Sequence, residues 1–162
     1  MTTDLKKRTT RDLTVRSYRA APDSANREDR TIESVMATEE PVQVFDYRRW
    51  EAIREVLLMD GVELPDQVTL LDNHNRFDCA DVFGSTRNLR IEGDKMIGRN
   101  YFASDERSQD VFNKVADGHI RDNSIGYSVE GFQDLEPGES RTIGNREFTA
   151  GAEALRIVTK WK

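Results

Sequence analysis

From residue 31 onward the apolar positions fall in short clusters broken by turn residues, a pattern of strands rather than of long helices. After Pro41, the β-prone Val42, Val44 and Phe45 mark one strand. Trp50, Ile53, Val56 and Leu57 recur at helical spacing, yet 55–59 reads equally well as a short buried strand, and periodicity does not arbitrate. Asp60-Gly61 is a turn signal. A strand over 68–71 then runs into the polar Asp72-Asn73-His74. The stretches 82–91 and 96–102 flank Glu92-Gly93-Asp94 and predict a β-hairpin.

One helix stands out, over 106–116. Ser104 or Asp105 can cap it, acids occupy its first turn, and Gly118 lies just past its end. Val111, Phe112, Val115 and Ala116 share a face, so the helix is expected to pack on something. A strand over 124–132, a Pro137-Gly138 turn, and strands within 141–149 and 154–161 complete the chain. Tyr127, Phe132, Phe148 and Trp161 alternate with polar residues there and are expected in the core. The predicted fold class is α+β and mainly β: an antiparallel β-sheet or barrel flanked by one or more helices.

Composition changes this picture at the N-terminus. Residues 1–30 carry 8 basic and 5 acidic side chains and few apolar anchors. They read as a basic, largely disordered arm or leader of net +3, with a short strand near 13–19 as the one structured option. The folded region is then expected over 31–162. The chain as a whole is acidic, at −6, which disfavours a general nucleic-acid binder. No apolar run approaches the roughly 20 residues of a membrane span, and 1–30 lacks the apolar segment of a secretory signal. Cys79 is the single cysteine, which excludes an internal disulfide and a multi-cysteine zinc site, and it is expected to be a small buried side chain. The sequence stops within the predicted strand 154–161, so truncation of the domain at its C-terminus is expected.

Two histidines narrow any acid–base chemistry. His74 follows a buried strand into a polar loop, where a general base is well held, although a surface histidine in a polar loop is the commoner meaning of such a position. Ser124, in Asp122-Asn123-Ser124-Ile125-Gly126-Tyr127, sits near a glycine that permits close backbone approach; the motif is not the hydrolase elbow G-x-S-x-G, and most serines at strand starts only cap or hydrogen-bond. His119 lies at the C-terminal end of the predicted helix, where contact with the helix dipole explains it. Asp72, His74 and Asp78 are a weak candidate metal trio. No phosphate-binding glycine loop is present.

The chain from Thr31 onward resembles the prohead maturation proteases of tailed bacteriophages. The resemblance rests on ATEEPVQVFD (37–46), EVLLMDG (55–61), VTLLDNHNR (68–76), VFGSTRNLR (82–90), DGHIRDNSIGYSV (117–129), and REFTA through VTKW (146–161), in order over about 130 residues. It implies a serine endopeptidase related to the herpesvirus assemblins, with an assemblin-like antiparallel barrel. Ser124 would be the nucleophile and His74 its base, with no cofactor and no metal. The implied partners are the phage major capsid protein and its scaffold or delta segment, cut inside the procapsid in the host cytoplasm together with the protease itself. Self-association fits such a setting; nucleic acid and membrane do not enter. The basic arm fits a removable leader or tether. In this family the third, orienting residue is a carboxylate in the strand after the VTKW-like segment, beyond Lys162; His119 and Asp72 do not match that pattern. The alternatives are a non-catalytic capsid-assembly module built on the same barrel, and an inactive truncated protease.

Overall fold

The structure, a computed structural model, describes residues 14–162, with side chains from residue 19. The described strands form two four-stranded sheets and two smaller ladders, with one α-helix. The first sheet has the order β3-β4-β12-β9, from β3 (Val42–Asp46), β4 (Glu51–Leu57), β9 (Val129–Leu135) and β12 (Leu155–Trp161). The second has the order β2-β7-β6-β5, from β2 (Thr31–Thr38), β5 (Gln67–Leu71), β6 (Val82–Glu92) and β7 (Lys95–Phe102). β1 (Thr14–Arg19) pairs with β8 (Asp122–Tyr127), and β10 (Ser140–Ile143) with β11 (Arg146–Thr149).

The mainly β, α+β class is therefore present, but no closed barrel forms among the described residues. One pairing, β4 with β12, is parallel. The ambiguous stretch around 55–59 is a strand as far as Leu57, because Ile53, Val56 and Leu57 find cover on both faces of β4, and Met59 then opens a 3₁₀ turn, Met59–Gly61. The strand expected over 124–132 divides at Ser128 into β8 and β9, which join different sheets.

The expected arm over 1–30 lies outside the described residues as far as residue 13. Its remainder is structured: β1 is annealed to β8, a 3₁₀ turn spans Pro22–Ser24, and Asn26 and Thr31 exchange backbone hydrogen bonds of 2.8 and 3.0 Å. These described residues of the expected arm take their backbone partners from β8 and β2, Ala21 donating to the Glu33 carbonyl at 3.0 Å, where apolar anchors are few.

Three apolar clusters carry the core. Tyr127, Trp161, Leu57, Val158 and Met36 form one; Trp161 donates its indole N–H to the Leu58 carbonyl at 2.8 Å. Leu135, Ile143, Ala150 and Ile157 form a second beneath the β10–β11 ladder. The third seats helix α1 (Glu106–Ala116) on the second sheet through Phe112 and Val115, against Ile32, Phe83 and Phe102. Asp105 caps α1 by accepting from the Ser108 N–H at 3.0 Å. Of the four aromatics expected in the core, Tyr127 and Trp161 are buried and Phe148 partly so. Phe132 instead lies exposed on the outer face of β9, where the Arg156 guanidinium stacks on it at 4.2 Å.

Candidate active site

β5 ends where β6 carries a bulge: Leu70 pairs with Gly84, but Leu71 pairs with Val82, which leaves Phe83 as the extra residue. Gly84 is required there. Its φ is 151°, and a Cβ on it would meet the Tyr101 carbonyl oxygen at 1.9 Å. Past this bulge the chain reverses through two consecutive left-handed residues, Asn73 (φ 46°) and His74 (φ 58°). For non-glycine residues that conformation costs roughly 1–2 kcal/mol each, least for Asn, so surrounding contacts must hold it.

They come from one arginine. Arg107, on the outer face of α1, bonds Asp72 at 2.8 Å, the Ala80 carbonyl at 2.5 Å and Asp81 at 3.2 Å, while its guanidinium lies 5.1 Å over the Phe83 ring. The Asn75 side-chain amide donates to Asp81, and the Asn75 N–H to the Asp72 carbonyl at 2.8 Å. The loop is thus closed on itself and clamped to the helix.

β8 meets this loop from the other side. His74 Nε2 and Ser124 Oγ lie 2.6 Å apart, although 50 residues separate them in sequence. With Nδ1 protonated, the Ser124 hydroxyl donates to Nε2, the arrangement a base needs to activate a serine. Both side chains are half-buried and line a cleft of about 1,240 Å³. Burial lowers the His74 pKa below its ordinary 6.5, and the nearby Arg76 cation lowers it further, so the ring is neutral at pH 7.

Alternation in the β8 ladder fixes where the Ser124 backbone points. Ala20 donates to the Arg121 carbonyl at 2.7 Å, so the odd-numbered residues of β8 bond toward β1. On the opposite edge Ser128 and Lys162 exchange two bonds, of 2.8 and 3.1 Å. The N–H and C=O groups of Ser124 and Gly126 point to that same edge and have no backbone partner among the described residues.

The other candidate residues are not brought to the pair. Asp72 is bound by Arg107, and no carboxylate accepts from His74 Nδ1 among the described residues. His119 does not line the cleft. Asp72, His74 and Asp78 do not make a metal-ligand group among the described residues. Cys79, expected to be buried, is exposed: it opens a single 3₁₀ turn, Cys79–Asp81, in which no residue is buried. The residue that sequence reasoning missed is Arg107. On the sequence it is one arginine of an exposed helix face; only the helix's seat on the sheet makes it the clamp of the His74 loop. No helix of the described residues is long and apolar enough to cross a membrane. No family model matches this chain, and neither a curated protein nor a solved structure matches it.

Proposed function

We propose that the chain is a serine endopeptidase of the prohead maturation class, with Ser124 as nucleophile and His74 as base. The observation that carries the reading is the 2.6 Å approach of Ser124 Oγ to His74 Nε2 across 50 residues of sequence. In the reaction, Ser124 Oγ bonds to the scissile carbonyl carbon while its proton passes to Nε2. The C–N bond then breaks, and the leaving amine takes that proton. Water, deprotonated by the same nitrogen, hydrolyses the acyl-serine ester and restores the pair. No metal or cofactor enters these steps. The substrates in this reading are the scaffold or delta segment of a phage capsid protein and the protease itself, within the procapsid.

The resemblance expects a carboxylate after the VTKW-like segment to orient His74. A strand continuing from Lys162 in the Ser128 register would lie against Gly126 and Ser124, on the open edge of β8. A carboxylate on it would then be near the imidazole. A second reading is a non-catalytic assembly module of the same fold; it draws on His74 Nδ1, which has no carboxylate acceptor among the described residues, the orienting acid being worth about 10⁴-fold in turnover in well-studied triads.

A fluorophosphonate probe, mapped by mass spectrometry, tests the proposal. The expected result is labelling at Ser124 that disappears in His74→Ala. Absence of labelling in the folded chain, and in a version extended beyond Lys162, rules out the peptidase and leaves the assembly module.

A further inference from the structure

Among the described residues nine large apolar side chains are exposed; Phe45, Tyr47 and Trp50 stack on one another away from the cleft, at ring separations of 5.0–6.2 Å. Four others, Val68, Phe77, Val82 and Ile120, line the cleft that holds Ser124 and His74. Phe77 is the extreme case at 97% exposure, three residues after His74. It is not loose, because its N–H donates to the Asn75 side-chain oxygen at 3.1 Å, and Asn75 is tied to Asp81 and so to the Arg107 clamp. A large, almost fully exposed ring therefore stands at the cleft on a backbone that is tied down.

Below it the cleft walls include Met36, Leu70, Leu89, Met96 and Ile125. The charged side chains around it nearly cancel, at five carboxylates against four cations, so charge does not select what enters. At about 1,240 Å³ the space exceeds the roughly 300–1,000 Å³ of a small-molecule pocket, which suits a chain segment.

We infer that Phe77 determines specificity: it closes over a bulky apolar side chain, Leu-like or Phe-like, of a peptide segment flanking the bond presented to Ser124. The choice of a peptide as occupant rests on the peptidase reading; the apolar selection rests on the cleft. A ring of this size covering a single apolar side chain is expected to give about tenfold discrimination or more over a small polar one.

Binding tests this without chemistry. Fluorescein-labelled dodecapeptides of Gly and Ser, each with one central Leu, Phe, Ser, Asp or Lys, are titrated by fluorescence polarisation into the Ser124→Ala chain. The Leu and Phe peptides are expected to bind at least ~10-fold tighter than the others, and Phe77→Ala, added to Ser124→Ala, to reduce that preference to under ~3-fold. Phe77→Leu should restore most of it. Because the ring touches little of the fold, melting temperatures of these variants should coincide. Equal binding of all five peptides, or a preference that survives Phe77→Ala, overturns the inference. Fluorophosphonate labelling of the wild-type chain is scored separately. Apolar preference without labelling removes the peptidase and keeps the apolar site; labelling without preference does the reverse.

Discussion

The two halves of the Ser124–His74 pair are held by different physics. Ser124 lies on β8, whose backbone is laddered to β1 and whose last residue, Tyr127, is buried against Trp161. His74 lies on a loop with two left-handed residues, whose polar ties converge on a single arginine that is itself about half-exposed. The strand keeps its geometry through hydrogen bonds and burial, which salt barely touches. The loop keeps its geometry through charged contacts at the surface, where each exposed pair contributes at most about 1 kcal/mol and salt weakens it. In the proposed peptidase, a pair built this way would have a rigid nucleophile and an adjustable base.

The sharpest way to test that the halves act as one unit is to remove both. His74→Ala and Ser124→Ala should each abolish turnover by several orders of magnitude, about 10⁶-fold in the best-studied case, and the double variant should be no worse than the singles. Independent losses that multiply would mean the two side chains do not share a step. Next in size is the clamp. Arg107→Ala should slow Ser124 labelling on the order of 10²-fold, since a misplacement of about 1 Å suffices for that. Its melting curve should correspond to a loss of only about 1 kcal/mol. Labelling of the wild type should fall with added salt, and that of Arg107→Ala should not.

The strand half breaks in the opposite currency. Arg16 faces Ile125 in a bonded pair of the ladder, so Arg16→Pro removes its N–H and leaves the Ile125 carbonyl without its donor. A stability loss of about 1–3 kcal/mol is expected in chemical denaturation, with labelling reduced only as far as β8 loosens. Unchanged stability would show that β1 contributes nothing to holding Ser124.

The smallest effect concerns pH. Burial first, and Arg76 second, hold the His74 pKa below 6.5, so the acid limb of activity should fall below pH 6.5. Arg76→Ala removes a like charge and should move that limb upward, toward 6.5, with activity at neutral pH unchanged. The same shift links to stability. Below pH 6.5 the unfolded chain takes up a proton that the native ring refuses, so the His74 contribution is complete above 6.5 and is lost as pH falls through the folded value. In Arg76→Ala that loss should be smaller, as read from melting temperatures between neutral and mildly acidic pH.

Much of the local structure was legible in the sequence because short-range chemistry decides it. Helix α1 follows from its cap, first-turn acid and apolar face; the β6–β7 hairpin follows from Glu92-Gly93-Asp94 between two apolar runs. Whether 55–59 is helix or strand was not legible, since a run buried on both faces has no diagnostic period. The break at Ser128 was not legible either. The strand pattern continues through it, and only the exchange of bonds with Lys162 divides β8 from β9.

The candidate site divides in the same way. Residue type and local context marked His74 and Ser124 as chemically able, because a strand end beside a polar loop and a serine near a glycine are local properties. Their 2.6 Å meeting, the left-handed turn that aims the imidazole, the Arg107 clamp and the outward placement of Phe77 all depend on elements far apart in sequence. Such contacts are set by how the sheets and α1 pack, and packing is decided by the whole set of buried faces at once. The sequence by itself determined the elements and the chemistry they can carry; tertiary structure alone decided which of those groups share a cleft and which, like Asp72, are committed elsewhere.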